Sequence, residues 1–155
     1  MLKEIIVLNQ IMGNPVLFIG LFSWAIAQFL KVPIFYILYH RLNWGLWFSS
    51  GGMPSSHSAL ITSITLAIGL FYGFDSPVFA LAFAVAMIVI YDAAGVRREA
   101  GRHAEKINIL LNEFFSGHPI SDQQLKEVIG HTPAQVLAGI GLGIGIALLF
   151  YWSII

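Results

Sequence analysis

The sequence predicts an all-α polytopic membrane bundle, with about four transmembrane helices and a helical cytoplasmic loop, and three observations predict it. Hydrophobic residues make up 57% of the 155-residue chain and charged residues 10%, against roughly 45–50% and about 25% in soluble domains. Apolar runs of the ~20 residues that a ~30 Å hydrocarbon core requires recur between helix-capping signals. Seven of the eight Lys and Arg residues fall in the two segments that four crossings leave on one side of the membrane.

The opening MLKEIIVLNQIM has neither a strongly basic start nor a small-residue cleavage site, and reads as a short amphipathic or interfacial helix kept in the mature protein. The first span begins at Asn14-Pro15, a cap followed by Pro at the first helical position, and stays apolar to Leu30. Lys31 and Pro33 then interrupt it, with IFYILY as a kinked extension. The second span runs from about Ser58 to Phe74. Asp75-Ser76-Pro77 supplies a tight turn, a cap and the start of a third span ending near Tyr91, so these two form a helical hairpin. The fourth opens at Thr132-Pro133-Ala134-Gln135, a capping box, and continues to Ile155.

Between the third and fourth spans, residues 93–115 predict one long helix. Ile107, Leu110, Leu111, Phe114 and Phe115 give it an apolar face for the bundle or the membrane interface. Ser121-Asp122-Gln123-Gln124 predicts a further capping box, and Gly130 a helix stop. No domain boundary or low-complexity tract interrupts the chain, so residues 1–155 read as a single membrane-embedded domain.

Lys31, Arg41, Arg97, Arg98, Arg102, Lys106 and Lys126 lie in segments 31–57 and 92–132, with only Lys3 opposite. The excess of positive charge assigns that side to the cytoplasm, with both termini outward. All five histidines, His40, His57, His103, His118 and His131, share those segments. Loops hold whatever lipid-facing spans exclude, which accounts for polarity on one side but not for its near absence on the other. The formal charge of zero gives no reason to expect nucleic acid. With no cysteine, disulfides, thiolate nucleophiles and zinc–thiolate sites are excluded, and the scattered histidines lack metal-ligand spacing. Neither a metal nor a cofactor is expected.

Two strings carry chemistry. In Gly51-Gly52-Met53-Pro54-Ser55-Ser56-His57-Ser58, a glycine pair feeds hydroxyl residues and a histidine into a membrane helix. Backbone N–H groups and the positive dipole end of such a helix, with the Ser55 and Ser56 hydroxyls, suit phosphate oxygens. His57 beside them can protonate a leaving alkoxide or activate water. The bland reading of this string is a serine helix cap with an interfacial histidine. In the second string, Asp92 precedes Arg97, Arg98, Glu99, Arg102 and His103. Arginine forks match phosphate oxygens bidentately, although a single juxtamembrane arginine is more often a topology anchor. Glu99 lies one helical turn before His103 and can orient its imidazole as a nucleophile.

Together the strings resemble the type-2 phosphatidic acid phosphatase and vanadium haloperoxidase-related superfamily, and more closely its divergent small membrane branch. Pro54-Ser55-Ser56-His57 matches the superfamily's Pro-Ser-Gly-His with Ser56 for Gly, and Arg97 with His103 keeps the Arg-x5-His spacing. The resemblance implies a metal-independent reaction in which His103 attacks phosphorus and His57 protonates the leaving oxygen, then serves as base for hydrolysis. Val96 stands in place of the superfamily's Ser and Ile107 in place of the Asp that orients the nucleophile. Orientation therefore falls to Glu99 or Asp92. Lys31 is the candidate phosphate lysine, although Arg41 follows it at a longer spacing than the superfamily's, without the Pro. In the divergent branch, the position of His103 often carries Gln.

The expected activity is an integral membrane phosphatase acting from the cytoplasmic side on a lipid-linked phosphate monoester or diphosphate, phosphatidylglycerol phosphate being one candidate. The alternatives are a transport protein whose Lys31, Asp92 and Arg97 line an ion path, and a catalytically silent lipid-phosphate-binding protein. Expected partners are the bilayer and a membrane lipid phosphate. Gly139, Gly141, Gly143 and Gly145 form two overlapping Gly-x3-Gly pairs, which predict close helix packing within the chain or across a homodimer, with the within-chain contact favoured.

Overall fold

The computed structural model describes residues 2–49, 51–114 and 130–155, without the side chains at positions 2, 97, 98, 100, 102, 105 and 111–114. Its described elements are helices α1 (Leu2–Met12), α2 (Pro15–Tyr39), α3 (Ser56–Tyr72), α4 (Pro77–Ala94), α5 (Val96–Phe114) and α6 (Pro133–Ile154), with a 3-10 turn at Trp44–Phe48. The chain folds as an all-α membrane bundle. α2, α4 and α6 are long and apolar enough to cross a membrane, while α3 is a shorter apolar helix of 17 residues.

Local chemistry sets most boundaries. The Asn14 side chain accepts from the Leu17 N–H at 3.1 Å, and Ser76 Oγ accepts from the Phe79 N–H at 3.2 Å, each ahead of a Pro at the first helical position. At α6 both halves of the capping box form: Thr132 Oγ1 accepts from the Gln135 N–H at 3.4 Å, and Gln135 Oε1 from the Thr132 N–H at 3.1 Å. α2 differs from expectation by continuing through Pro33 to Tyr39 as one helix. The single helix expected over 93–115 is also corrected. It breaks at Gly95, whose φ of −111° and ψ of −79° end α4, and α5 starts at the next residue. The expected Ser121-Asp122-Gln123-Gln124 capping box lies outside the described residues.

α3 is the central helix. It runs antiparallel to α2, since Ser23 Oγ donates to the Ala59 carbonyl at 3.4 Å and the Gly20 position abuts the Leu60 and Ile64 side chains. It runs parallel to α6, where Gly139 sits against the Ser55 carbonyl, and Gly143 against Ala59 and Ser63. The α3–α4 hairpin is tied by Thr65 Oγ1, which lies 2.7 Å from the Ile61 carbonyl and 3.3 Å from the Ala82 carbonyl. Small residues let these backbones approach, which is how helices associate where lipid removes the hydrophobic drive.

The Gly139/Gly143 pair therefore packs within the chain, while Gly141 and Gly145 meet nothing within 4 Å. At the other end of the bundle, Val16, Ile19, Ala67, Ile146 and Ala147 form the apolar core. Large residues elsewhere, such as Leu81, Ile88 and Leu149, are exposed. Such a belt would be a liability in water and suits acyl chains.

For the apolar face of α5 the sequence left two places, the bundle and the membrane interface. The helix packs on α4, with Gly101 and Asn108 buried among its described residues, while Val96, Ile107 and Leu110 are exposed. Ile107 and Leu110, the described residues of the stripe, thus face away from the bundle, as an interfacial face would. Leu111, Phe114 and Phe115 of that stripe lie outside the described side chains.

Candidate functional site

The end of the bundle opposite the apolar core is built from small and polar groups. Lys31, near the C-terminal end of α2, is fully buried, and its Nζ donates to the Ser49 carbonyl at 2.8 Å. One turn earlier, Gln28 Nε2 lies 2.6 Å from the Trp47 carbonyl, 3.2 Å from that of Ser49 and 3.4 Å from that of Leu46. Trp47 Nε1 donates back to the Phe29 carbonyl at 3.3 Å, and the two rings stack. These bonds strap residues 44–49 across α2. Carbonyls left over by a short 3-10 turn would be costly to bury unpaired, and Gln28 and Lys31 satisfy them.

The strap leads into Gly51-Gly52. Gly52 has a φ of 91°, a left-handed conformation that side chains resist, and a Cβ there would meet the Lys31 stem at 3.4 Å. The glycine thus permits both the turn and its approach to the lysine. Pro54, Ser55 and Ser56 follow, all buried, and begin α3.

Ser55 Oγ caps the helix, accepting from the Ser58 N–H at 3.3 Å and lying 3.0 Å from the Ser58 hydroxyl. The Ser55 backbone N–H is committed to the Gln135 carbonyl of α6 at 3.0 Å. The bland reading of this string, a serine cap, is therefore part of what Ser55 does. Ser56 and the half-buried His57 occupy the first helical turn, where unsatisfied N–H groups concentrate.

The second string is placed less centrally. In the α3–α4 hairpin Thr65 bonds to the Ala82 carbonyl, and this antiparallel register puts Asp92 of α4 toward the same end as Ser55. Asp92 is half-buried at this end. Glu99 and His103 stand one turn apart on an exposed side of α5. The side chains of Arg97, Arg98 and Arg102 lie outside the description, as does His118. Among described side chains the structure thus joins Lys31, Ser55, Ser56 and His57 at one end of the bundle, with Asp92 toward the same end, and leaves Glu99 and His103 on the α5 surface. Among the described residues no group of three His, Asp or Glu is arranged to hold a metal ion.

Two residues here were not among the expected site groups. Gln28 is a lone amide in an apolar run, a signal available in the sequence. Gln135 was legible as a cap, but its backbone bond to Ser55 was not.

A model of the Divergent PAP2 family matches residues 12–146, from the end of α1 to deep within α6, and so spans every element of this site. The chain belongs to the Divergent PAP2 family. It is 38% identical over 141 residues to the uncharacterized membrane protein YuiD of Bacillus subtilis (strain 168), covering 84% of this chain and 89% of that relative. No solved structure matches it significantly. Membership in the Divergent PAP2 family and the membrane-protein relative agree with the apolar helices in making this an integral membrane protein.

Proposed function

We propose that the protein is a membrane phosphatase that hydrolyses a lipid-linked phosphate monoester or diphosphate from the cytoplasmic side. One observation carries the reading: a fully buried lysine, Lys31, lies beneath the glycine turn that delivers Ser55, Ser56 and His57 to the start of α3. The Ser49 carbonyl accepts from this ammonium but does not neutralise it, so beside a helix N-terminus its charge adds to a field that favours an anion. Arg97 and Arg98 would complete the phosphate contacts by bidentate hydrogen bonds.

In this mechanism a neutral His103 nitrogen attacks phosphorus, and the P–O bond to the lipid breaks as His57 gives its proton to the leaving oxygen. Water then attacks the phosphohistidine while His57 takes back a proton, and inorganic phosphate leaves. Exposure of His103 on α5 suits a nucleophile that must meet a head group at the membrane surface. Glu99, one turn away, or Asp92, at the α4 terminus, would orient it. The family name and the seven-to-one basic asymmetry support the class and the sidedness. Phosphatidylglycerol phosphate fits as an anionic substrate on that side.

Ile107, standing where the superfamily has its orienting Asp, favours one second reading, a lipid-phosphate-binding protein without turnover. Purified protein in detergent, assayed for phosphate release from a panel of lipid phosphates with and without chelator, separates the two. Release that survives chelation supports the proposal; binding of those lipids without release sinks it.

A further inference from the structure

The proposed chemistry leaves His131 unused, yet among the described histidines it is the most buried, at 3% exposed. It stands immediately before the α6 cap, with Nδ1 3.1 Å from Gln135 Oε1. The same oxygen lies 3.1 Å from the Thr132 backbone nitrogen. A backbone N–H can only donate, so the Gln135 atom facing it is the oxygen rather than the amide nitrogen. An amide oxygen can only accept, so His131 Nδ1 must carry a proton. The network therefore fixes the neutral ring as its Nδ1–H tautomer, with the lone pair on Nε2.

Gln135 also faces the site. Its backbone carbonyl accepts the Ser55 N–H at 3.0 Å, and Gly139, one turn on, has no Cβ to obstruct the Ser55 carbonyl. The first turn of α6 is thus a docking platform for the residue that caps α3. His131 and Thr132 both hold the Gln135 side chain, and so hold that turn in the geometry Ser55 requires.

We propose that His131 is a positioning residue of the phosphate site: through its Nδ1–H it clamps Gln135, and through Gln135 it fixes Ser55 and the start of α3. Its catalytic consequence rests on the phosphatase reading above; the clamp itself does not.

Two side-chain amide variants of the protein in detergent decide the matter. His131→Asn puts an amide N–H near the place of Nδ1–H, whereas His131→Gln puts one near Nε2. The first readout is hydrogen exchange at the Ser55 amide, which needs no turnover. Exchange should stay within a few-fold of the parent in His131→Asn and rise at least tenfold in His131→Gln. The second readout is steady-state kinetics on a lipid phosphate: KM should rise about tenfold or more in His131→Gln with a smaller fall in kcat, and His131→Asn should recover it. Equal thermal midpoints for the two variants exclude general unfolding as the cause.

The proposal is overturned if His131→Gln matches the parent while His131→Asn does not, since Nε2 would then be the working atom. It is also overturned if both variants lose protection, or if neither does. A parent without phosphatase activity would defeat the proposed function alone, because the exchange experiment still tests the clamp. Nitrogen-15 NMR of labelled histidine in the parent protein gives an independent check: a neutral His131 protonated at Nε2 contradicts the inferred tautomer.

Discussion

The Lys31 ammonium donates to the Ser49 backbone carbonyl at 2.8 Å, and its stem lies under Gly52. One side chain thus secures both the strap over α2 and the glycine turn into α3. Lys31→Met should remove the charge and the shorter of the two hydrogen bonds to the Ser49 carbonyl, leaving that of Gln28 at 3.2 Å. The expected loss is about 1.5–3 kcal/mol of stability, the usual worth of a hydrogen bond from a charged donor. A fall in thermal midpoint in detergent, together with lost phosphate release, checks it; an unchanged midpoint means the strap does not depend on the lysine.

The glycine stripe of α6 should divide by face. Gly139→Ala puts a methyl into the Ser55 carbonyl, a backbone atom that cannot step aside, and should cost about 1–3 kcal/mol by overpacking. Gly141→Ala meets open space and should be neutral, or stabilising by up to about 1 kcal/mol from helix propensity. Paired thermal-denaturation curves test this, and equal effects at the two positions would contradict the packing.

Mutation should separate catalysis from binding. His57→Ala and His103→Ala should each lower turnover by roughly 10²–10⁴-fold. Arg97→Lys should also be severe, because a point charge cannot reproduce a two-pronged contact. Substrate binding should survive the change at His103 better than the change at Arg97. His118→Ala, outside both strings, serves as the control with near-normal activity. Full activity in His103→Gln would rule out a phosphohistidine at this position and leave direct attack by water, guided by His57 or Asp92.

Sidedness is open to labelling, because the chain has no cysteine of its own. A cysteine at the exposed Asn43 should resist an impermeant thiol reagent in intact cells and react after lysis. One at the exposed Asp75, in the α3–α4 turn, should react from outside. The reverse pattern inverts the proposed orientation.

Much of the fold was legible because its signals are local. Asn14, Ser76 and Thr132 each cap a helix by a bond to a residue three positions on, and the Pro that follows each reads directly as a helix start. Apolar length located the spans by the same short-range logic. The sequence also marked Lys31, Ser55, Ser56, His57 and Asp92 as polar groups in an apolar chain, the residues that the structure gathers at one end of the bundle. What those groups touch depended on rotation and register between helices, which no window of sequence contains. Only tertiary structure decided that Gly139 and Gly143, rather than Gly141 and Gly145, face α3, and that Ser55 docks on Gln135. It also turned Gly101 and Asn108 of α5 inward and left Ile107 and Leu110 outside. The physical reason is common to the first two: among lipid-soluble helices, close approach of small residues and pairing of backbone groups select the contact face, and apolarity alone does not.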